Sequence, residues 1–306
     1  MGGFNVAVVG ASGAVGHELL KILDEKNFPL EKLKLCATVR SAGKQIPVRG
    51  ETYTVEETTA DSFENMDIAL FAGGSASLEF GPAAVERGCV VIDNSSNYRL
   101  DPKVPLVVPE VNPEDVKWHR GIIANPNCST ILMVVALKPI HDAAGIKRVV
   151  VSTYQAVSGA GQEGIEELAA QTWAVLKGGE YAPKKFAHQI AFNLIPHIDV
   201  FQELDYTKEE WKMVKETHKI MHDDSFGITA TCVRVPVPFS HSESIQIETE
   251  VPLSVDEAKS LWAKAPGLTV VDDPSRNLYP LAAEATGKDD VFVGRIRQDL
   301  TRPNVL

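Results

Sequence analysis

The stretch GIIANPNCSTILMVVALKP, Gly121 to Pro139, puts a cysteine where thiol chemistry is favoured. A short apolar strand ends at Asn125-Pro126-Asn127, and a long apolar run opens on Cys128-Ser129-Thr130. A structural thiol belongs inside an apolar run. At a strand-to-helix junction among small polar residues, helix amides and the helix dipole instead lower a thiol pKa and favour the thiolate. A nucleophilic cysteine also needs an oxyanion stabiliser and an acid/base partner. The other reading of Cys128 is a packed thiol opening a core helix, and Asn127, Ser129 and Thr130 add capping capacity under either one. Cys36, Cys89 and Cys232 lie in strand-like runs and read as reduced packing residues. The wide spacing of the four, with no C-x-x-C, argues against a zinc site or a disulfide framework. His218 and His222 have the i, i+4 spacing of a helical metal pair, but no third ligand stands near them and no metal is expected.

The second chemical motif is VVGASGAVG, which runs out of the first apolar strand into the first helical pattern. Gly10, Gly13 and Gly16 permit a tight turn and close approach of backbone to a pyrophosphate, which the helix N-terminal amides then bind. The loop Gly10, Ala11, Ser12, Gly13, Ala14, Val15 and Gly16 is therefore the candidate dinucleotide cradle. An NAD site usually places a carboxylate on the ribose about 20 residues after the glycines, yet Leu33 to Gly50 contains no acidic residue. The second strand ends instead in ATVRSAGK, where Thr38, Arg40 and Ser41 suit a 2′-phosphate and NADP is the expected cofactor. Lys44 alone reads as part of a solvated basic loop.

These residues must be positioned by elements of two kinds. The first 125 residues alternate β-branched runs (Phe4–Val9, about Lys32 to Thr38, Asp67–Ala72, Cys89–Asn94) with helical segments, as in a parallel sheet covered on both faces. From about Ile146 the runs IKRVVVSTYQAV, FGITATCVRVPV and ESIQIETEVPL alternate over longer spans, which suits a sheet with one face packed and one available. Between them lies an expected helical insertion from Gly161 to Met221, containing Trp173, Tyr181, Phe186, Phe192 and Phe201. The expected fold class is α/β: an N-terminal Rossmann-type dinucleotide domain (1–127) followed by an α+β domain (128–306) opening on Cys128. The 306 residues, 44% hydrophobic and 23% charged, suffice for two cores. A net charge of −11 disfavours nucleic acid and anionic membranes, so an anionic ligand must be held by a local cluster of basic residues. No run reaches the length of a membrane span and MGGFNVAVVG shows no signal-peptide pattern, so the cytoplasm is the expected compartment.

Together GASGAVG, NPNCST, TYQAVSGAG, EEWK and CVRVPVPFSHSES resemble the aspartate-semialdehyde dehydrogenase family over essentially the whole chain. The resemblance implies an α+β catalytic and dimerisation domain like that of the glyceraldehyde-3-phosphate dehydrogenase group. It also implies NADP-dependent interconversion of L-aspartate 4-semialdehyde plus phosphate with 4-aspartyl phosphate through a cysteine thioester. That reaction serves biosynthesis of lysine, threonine, methionine and isoleucine. Carried to this sequence, it makes Cys128 the nucleophile, His241 the general acid/base and Gln155 the residue orienting the intermediate. It assigns Arg99 and Lys212 to phosphate, and Glu209 and Arg234 to the amino-acid end of the substrate. Gly73, Ser75, Ser158 and Gly159 join the cofactor contacts, and a homodimer is implied, with a tetramer as the larger alternative. Read without it, Glu209 and Lys212 are a surface ion pair on a helix, His241 a loop histidine, and Arg234 a partly buried cation in need of an anion.

Two alternatives stay open at this stage: a reductase of N-acetylated glutamyl phosphate, and a nucleotide-binding protein that keeps the fold without catalysis. The resemblance also leads one to expect a further strand and a glycine- and alanine-rich helix after GRIRQDLTRPNVL to complete the first domain, and the sequence as given stops at Leu306. Cofactor choice is the most direct expectation. Arg40→Ala should weaken NADP binding by about 1.5–3 kcal/mol, the range for hydrogen bonds to charged groups, and leave NAD affinity nearly unchanged. Fluorescence titration of both cofactors checks this; an equal loss for NAD would mean that Arg40 supports the loop and does not read the phosphate.

Overall fold

The structure, a computed structural model, describes residues 2–306. The chain divides into two compact units, residues 1–107 with 113–126, and residues 108–112 with 127–306.

In the first unit the order is β1 (Phe4–Val9), α1 (Ala14–Glu25), β2 (Leu30–Ala37), a hairpin of β3 (Gln45–Val48) and β4 (Glu51–Thr54), β5 (Glu56–Glu57), β6 (Ile68–Phe71), α2 (Ala76–Glu86), β7 (Val90–Asp93) and β8 (Ile122–Ala124). Six of the strands form a sheet in the order β5-β2-β1-β6-β7-β8, parallel throughout. Both faces of β1 are buried. Val6 and Val8 pack with Leu20 and Leu23 of α1, while Ala7 and Val9 pack with Phe63, Phe71 and Ala84. Continuous burial of that kind is what a parallel strand covered on two sides requires. The chain leaves β1 toward β2 and later resumes at β6 on the other side of β1. The carboxyl ends of β1 and β6 therefore flank a topological switch point, where ligands of such sheets bind. The β3–β4 hairpin was not expected from sequence.

The second unit contains α3 (Cys128–Ala144), β9 (Ile146–Gln155), α4 (Gln162–Leu176), α5 (Lys208–Met221), β10 (Gly227–Arg234), β11 (Ser242–Thr249), α6 (Val255–Trp262), β12 (Leu268–Val270), α7 (Ala282–Ala285) and β13 (Val291–Val293). Its central sheet has the order β10-β9-β11, with β9 parallel to β10 and antiparallel to β11. Val149, Val151, Thr153 and Gln155 of β9 are buried, while Tyr154 between them is exposed, as the alternating pattern requires. Helix α3 packs against β9, β11, α5 and α6. The free edge of β11 is extended by Asn304 and Leu306, which bond to Thr249 and Ile247.

The expected helical insertion needs correction, since only its two ends are α-helix. Between α4 and α5 the chain is irregular apart from a short 3-10 turn at Glu203–Asp205. Buried side chains of α4 satisfy its backbone: Glu167 accepts from the amides of Lys184 and Lys185, and Gln171 from those of Ile190 and Ala191. Sequence periodicity cannot register such side-chain-to-backbone bonds, because they join residues about 20 apart.

Candidate active site

Cys128 is the first residue of α3, and Asn127 caps that helix by accepting from the amides of Ser129 at 3.0 Å and Thr130 at 3.2 Å. The same asparagine is anchored twice to α5. Its amide donates to Glu216 Oε2 at 2.6 Å, and its Nδ2 donates to Glu209 Oε1 at 2.8 Å. Cys128 is exposed, whereas Cys36, Cys89 and Cys232 are buried. Burial pushes the Cys36 thiol up to about 11 and raises those of Cys89 and Cys232 as well. Among the free thiols, Cys128 alone is placed to react.

Glu209 is the hub. Its Oε1 also accepts from Gln155 Nε2 at 3.1 Å, and its Oε2 pairs with Lys212 Nζ at 2.9 Å. Lys212 reaches Asp199 as well, at 3.1 Å. Burial works against both charges. For Glu209 the Lys212 charge and the donated hydrogen bonds outweigh it and hold the carboxyl below its ordinary range; for Lys212 the two carboxylates outweigh it and raise the amine. With side chains only 7% and 18% exposed, this is a buried ion pair and not the surface pair that i, i+3 spacing suggests. Asp199 had no sequence signal, because its place in the network depends on the irregular chain before α5. The first turn of α5 is fixed by a capping box between Thr207 and Glu210, and Glu210 also accepts from the amide of Cys232 in β10.

Gln155 and Arg234 are cross-strand partners at the carboxyl ends of β9 and β10, and Ser242, just after His241, faces Tyr154. One end of the sheet thus presents Gln155, Arg234 and His241. Arg234 is 7% exposed, and its Nη1 donates to the Ala156 carbonyl at 2.6 Å. No carboxylate of the described residues lies within ion-pair distance of it; burial lowers its pKa, while Glu209 and Cys128 are among the negative groups that oppose the fall. A buried guanidinium with spare donors is suited to a planar carboxylate. His241 Nδ1 accepts from the Ala156 amide at 3.0 Å. Burial first, and Arg234 second, push its pKa down to about 4. Ser158 and Gly159 lie in the 3-10 turn Val157–Ala160, and a Cβ on Gly159 would stand 2.8 Å from Arg234 Nη1 and 3.5 Å from His241 Nε2. Glycine there allows the two functional side chains to close up to backbone.

The first unit carries the expected dinucleotide loop. Gly10 has φ +83°, and a Cβ on Gly16 would stand 2.2 Å from the Gly10 carbonyl, so both positions require glycine. Helix α1 has neither a side-chain cap nor an acid in its first turn, leaving its amides for an anion. Across the switch point Gly73 has φ +140°, and Ser75 precedes α2 without capping it by side chain. Beyond β2, Thr38 and Arg40 are exposed, Ser41 is half-buried, and Arg40 makes no hydrogen bond or ion pair with the described residues. These features fit a dinucleotide carrying an extra phosphate. Arg99 is buried and donates through Nη2 to the Asn94 carbonyl at 3.0 Å. The two residues assigned to phosphate thus stand differently: Arg99 is held in the first unit, and Lys212 in the second is engaged by two carboxylates. No group of three or more His, Cys, Asp or Glu suited to a metal occurs among the described residues; His218 Nε2 lies 3.0 Å from the Phe226 carbonyl.

A dinucleotide cradle on a parallel sheet, with an exposed thiol heading a helix in a separate α+β unit, defines a dehydrogenase that works through a cysteine. Two family models match: the semialdehyde dehydrogenase NAD-binding domain over residues 5–119 and the semialdehyde dehydrogenase dimerisation domain over residues 137–306. The chain is 60% identical to aspartate-semialdehyde dehydrogenase of Aquifex aeolicus, across 97% of this chain and 89% of that one. It is 53% identical to that of Bacillus subtilis, across 99% and 90%. The solved aspartate semialdehyde dehydrogenase II of Vibrio cholerae, complexed with ASA, superposes with a TM-score of 0.95 at 46% identity, covering all of this chain and 91% of that one. The Candida albicans enzyme, solved with NADP, gives 0.77 at 25% identity over 99% and 92%. This chain belongs to the aspartate-semialdehyde dehydrogenase family.

The hub predicts its own test. Glu209→Ala leaves Lys212 with one partner and the Asn127 and Gln155 amides without an acceptor, so stability should fall by about 3–5 kcal/mol in urea unfolding, as for a broken buried pair. A loss below about 1 kcal/mol would mean that the pair behaves like one at the surface.

Proposed function

We propose that this chain catalyses the NADP-dependent interconversion of L-aspartate 4-semialdehyde plus phosphate with 4-aspartyl phosphate, a step of amino-acid biosynthesis in the cytoplasm. The observation that carries the proposal is Cys128, the exposed thiol at the head of α3, in one unit with Glu209, Gln155, Arg234 and His241. Family membership supports the substrate, and the free Arg40 with the acid-free stretch Leu33–Gly50 supports NADP over NAD.

The Cys128 thiolate adds to the aldehyde carbon. Arg234 takes the substrate carboxylate through its fork, and Glu209, kept ionised by Lys212, attracts the substrate ammonium. Gln155, held by Glu209 and accepting from Thr153 Oγ1 at 3.0 Å, orients the covalent adduct. His241 assists at the substrate oxygen. The loop Gly10–Gly16, Thr38, Arg40, Ser41, Gly73 and Ser75 would hold NADP, with Ser158 and Gly159 as further contacts. When bound, NADP supplies the hydride acceptor. Arg99 and Lys212 serve the phosphate that resolves the thioester.

The protein works as a homodimer in this reading. Trp173, Leu176, Phe192, Phe201 and Leu204 are between 61% and 81% exposed, and they fall within the segment matched by the dimerisation-domain model. Apolar surface on that scale is usually covered by a partner. A species of one chain's mass at micromolar concentration in sedimentation velocity would exclude the dimer.

The activity is tested by phosphate-dependent NADP reduction with L-aspartate 4-semialdehyde beside N-acetylglutamate semialdehyde. Turnover is expected with the first substrate alone. Cys128→Ala should abolish it while NADP binding survives, and iodoacetamide should label Cys128 ahead of the three buried thiols. An active Cys128→Ala variant would overturn the mechanism.

A further inference from the structure

We propose that Glu216 is a positioning residue for the nucleophile: by accepting from the Asn127 amide it fixes the peptide on which the first turn of α3, and so Cys128, is built. The inference rests on the function proposed above and adds a second buried carboxyl of α5 to the groups the reaction needs.

Asn127 has four polar groups, and each is engaged. Its carbonyl accepts from the Ile131 amide at 3.0 Å, and its Oδ1 accepts from the Ser129 and Thr130 amides, which together build the helix start. The other two reach α5: Nδ2 donates to Glu209, and the backbone N–H donates to Glu216 Oε2 at 2.6 Å. A side-chain bond alone leaves the Asn127 backbone free to turn about χ1 and χ2. The bond to Glu216 acts on the backbone itself and holds the peptide plane that enters the helix. Pro126 has no N–H, so the Asn127 amide is the last backbone donor ahead of Cys128.

Helix α5 is shaped for this double attachment. Glu209 and Glu216 stand seven residues apart, about two turns, and so share one face, on which Met213, Thr217 and Ile220 are also buried. A helix face packed on another helix is ordinarily apolar, and α3 and α5 do pack together. Glu216 is only 1% exposed, a depth at which a carboxyl is costly without donors. Of the acids buried on α5, Glu209 gathers the hub and Glu210 closes the capping box, and the use of Glu216 lies at Asn127.

The consequence falls on the thiol, because Cys128 follows Asn127 directly. Loss of the Glu216 bond would leave a buried amide without its acceptor, and the peptide would turn to find another. The helix start and Sγ would move with it, whereas Arg234 and the dinucleotide loop would stay in place. A misplacement of reacting atoms by about 1 Å can cost about 10²-fold in rate. Substrate and cofactor binding would therefore persist while attack on the aldehyde slows.

Variants at this one position test the idea. Glu216→Ala should lower kcat about 10–10²-fold, with the KM for L-aspartate 4-semialdehyde and for phosphate and the Kd for NADP each changed by less than about threefold. Glu216→Gln, whose Oε1 can accept the same hydrogen bond, should keep kcat within about threefold of the unaltered protein. Glu216→Asp keeps the carboxyl but, one methylene shorter, loses the reach, and should fall with Ala. In hydrogen exchange the Asn127 amide should be protected in the unaltered and Gln proteins and exchange freely in the other two. A merely structural role would lower the unfolding temperature of the Ala variant and leave kcat per NADP-binding site unchanged. That result overturns the proposal, as does a Gln variant as slow as Ala or an Asp variant as fast as Gln; should the Ala variant not fold, the contrast between Gln and Asp decides. Lack of turnover by the unaltered protein would sink the function proposed above and leave hydrogen exchange to decide the attachment, with free exchange at Asn127 in the unaltered protein overturning it.

Discussion

The buried carboxylate of Glu209 is the point on which the second unit's chemistry depends. Its two oxygens gather the cap of α3 through Asn127, the end of β9 through Gln155, and the first turn of its own helix through Lys212. A lone carboxylate at this depth would be costly to ionise. Lys212 and the two amides supply what water no longer can, and the group stays charged. The same bonds fix Asn127 and hence the helix end on which Cys128 is mounted. Positioning the thiol and keeping a buried negative charge are thus one structural fact.

The remaining polar groups follow from that arrangement. Arg234, across from Gln155, is buried with no carboxylate of the described residues at contact distance and keeps spare donors for a ligand's anion. Burial first and the Arg234 charge second lower the pKa of His241, while Arg234 also holds the Ala156 carbonyl. Lys212, by contrast, already has two partners; phosphate reaching it must compete with Glu209 and Asp199 or join them.

In the first unit the constraint is steric. The Gly10 carbonyl lies so close to Gly16 that a single methyl would collide with it, and this closeness lets the uncapped start of α1 meet a phosphate. Burial of both faces of β1 by α1 and α2 keeps that loop at a fixed height above the sheet.

The sequence by itself determined what depends on local order. The period-2 and helical patterns marked β1, α1, β6, α2, β7 and the long strands β9, β10 and β11 to within a few residues. Glycine spacing marked the cradle, and the position of Cys128 between a polar turn and an apolar run marked the thiol that stays exposed. The family motifs added Gln155, Glu209, Arg234 and His241, residues whose types are otherwise ordinary. Tertiary structure alone decided the rest, because burial and hydrogen-bond partners come from residues distant in the chain. It turned Glu209 and Lys212 from a surface pair into a buried one and brought Asp199 to the lysine. It left the chain between α4 and α5 irregular by satisfying its amides from Glu167 and Gln171. It also brought the Ala156 amide, 85 residues away along the chain, against Nδ1 of His241.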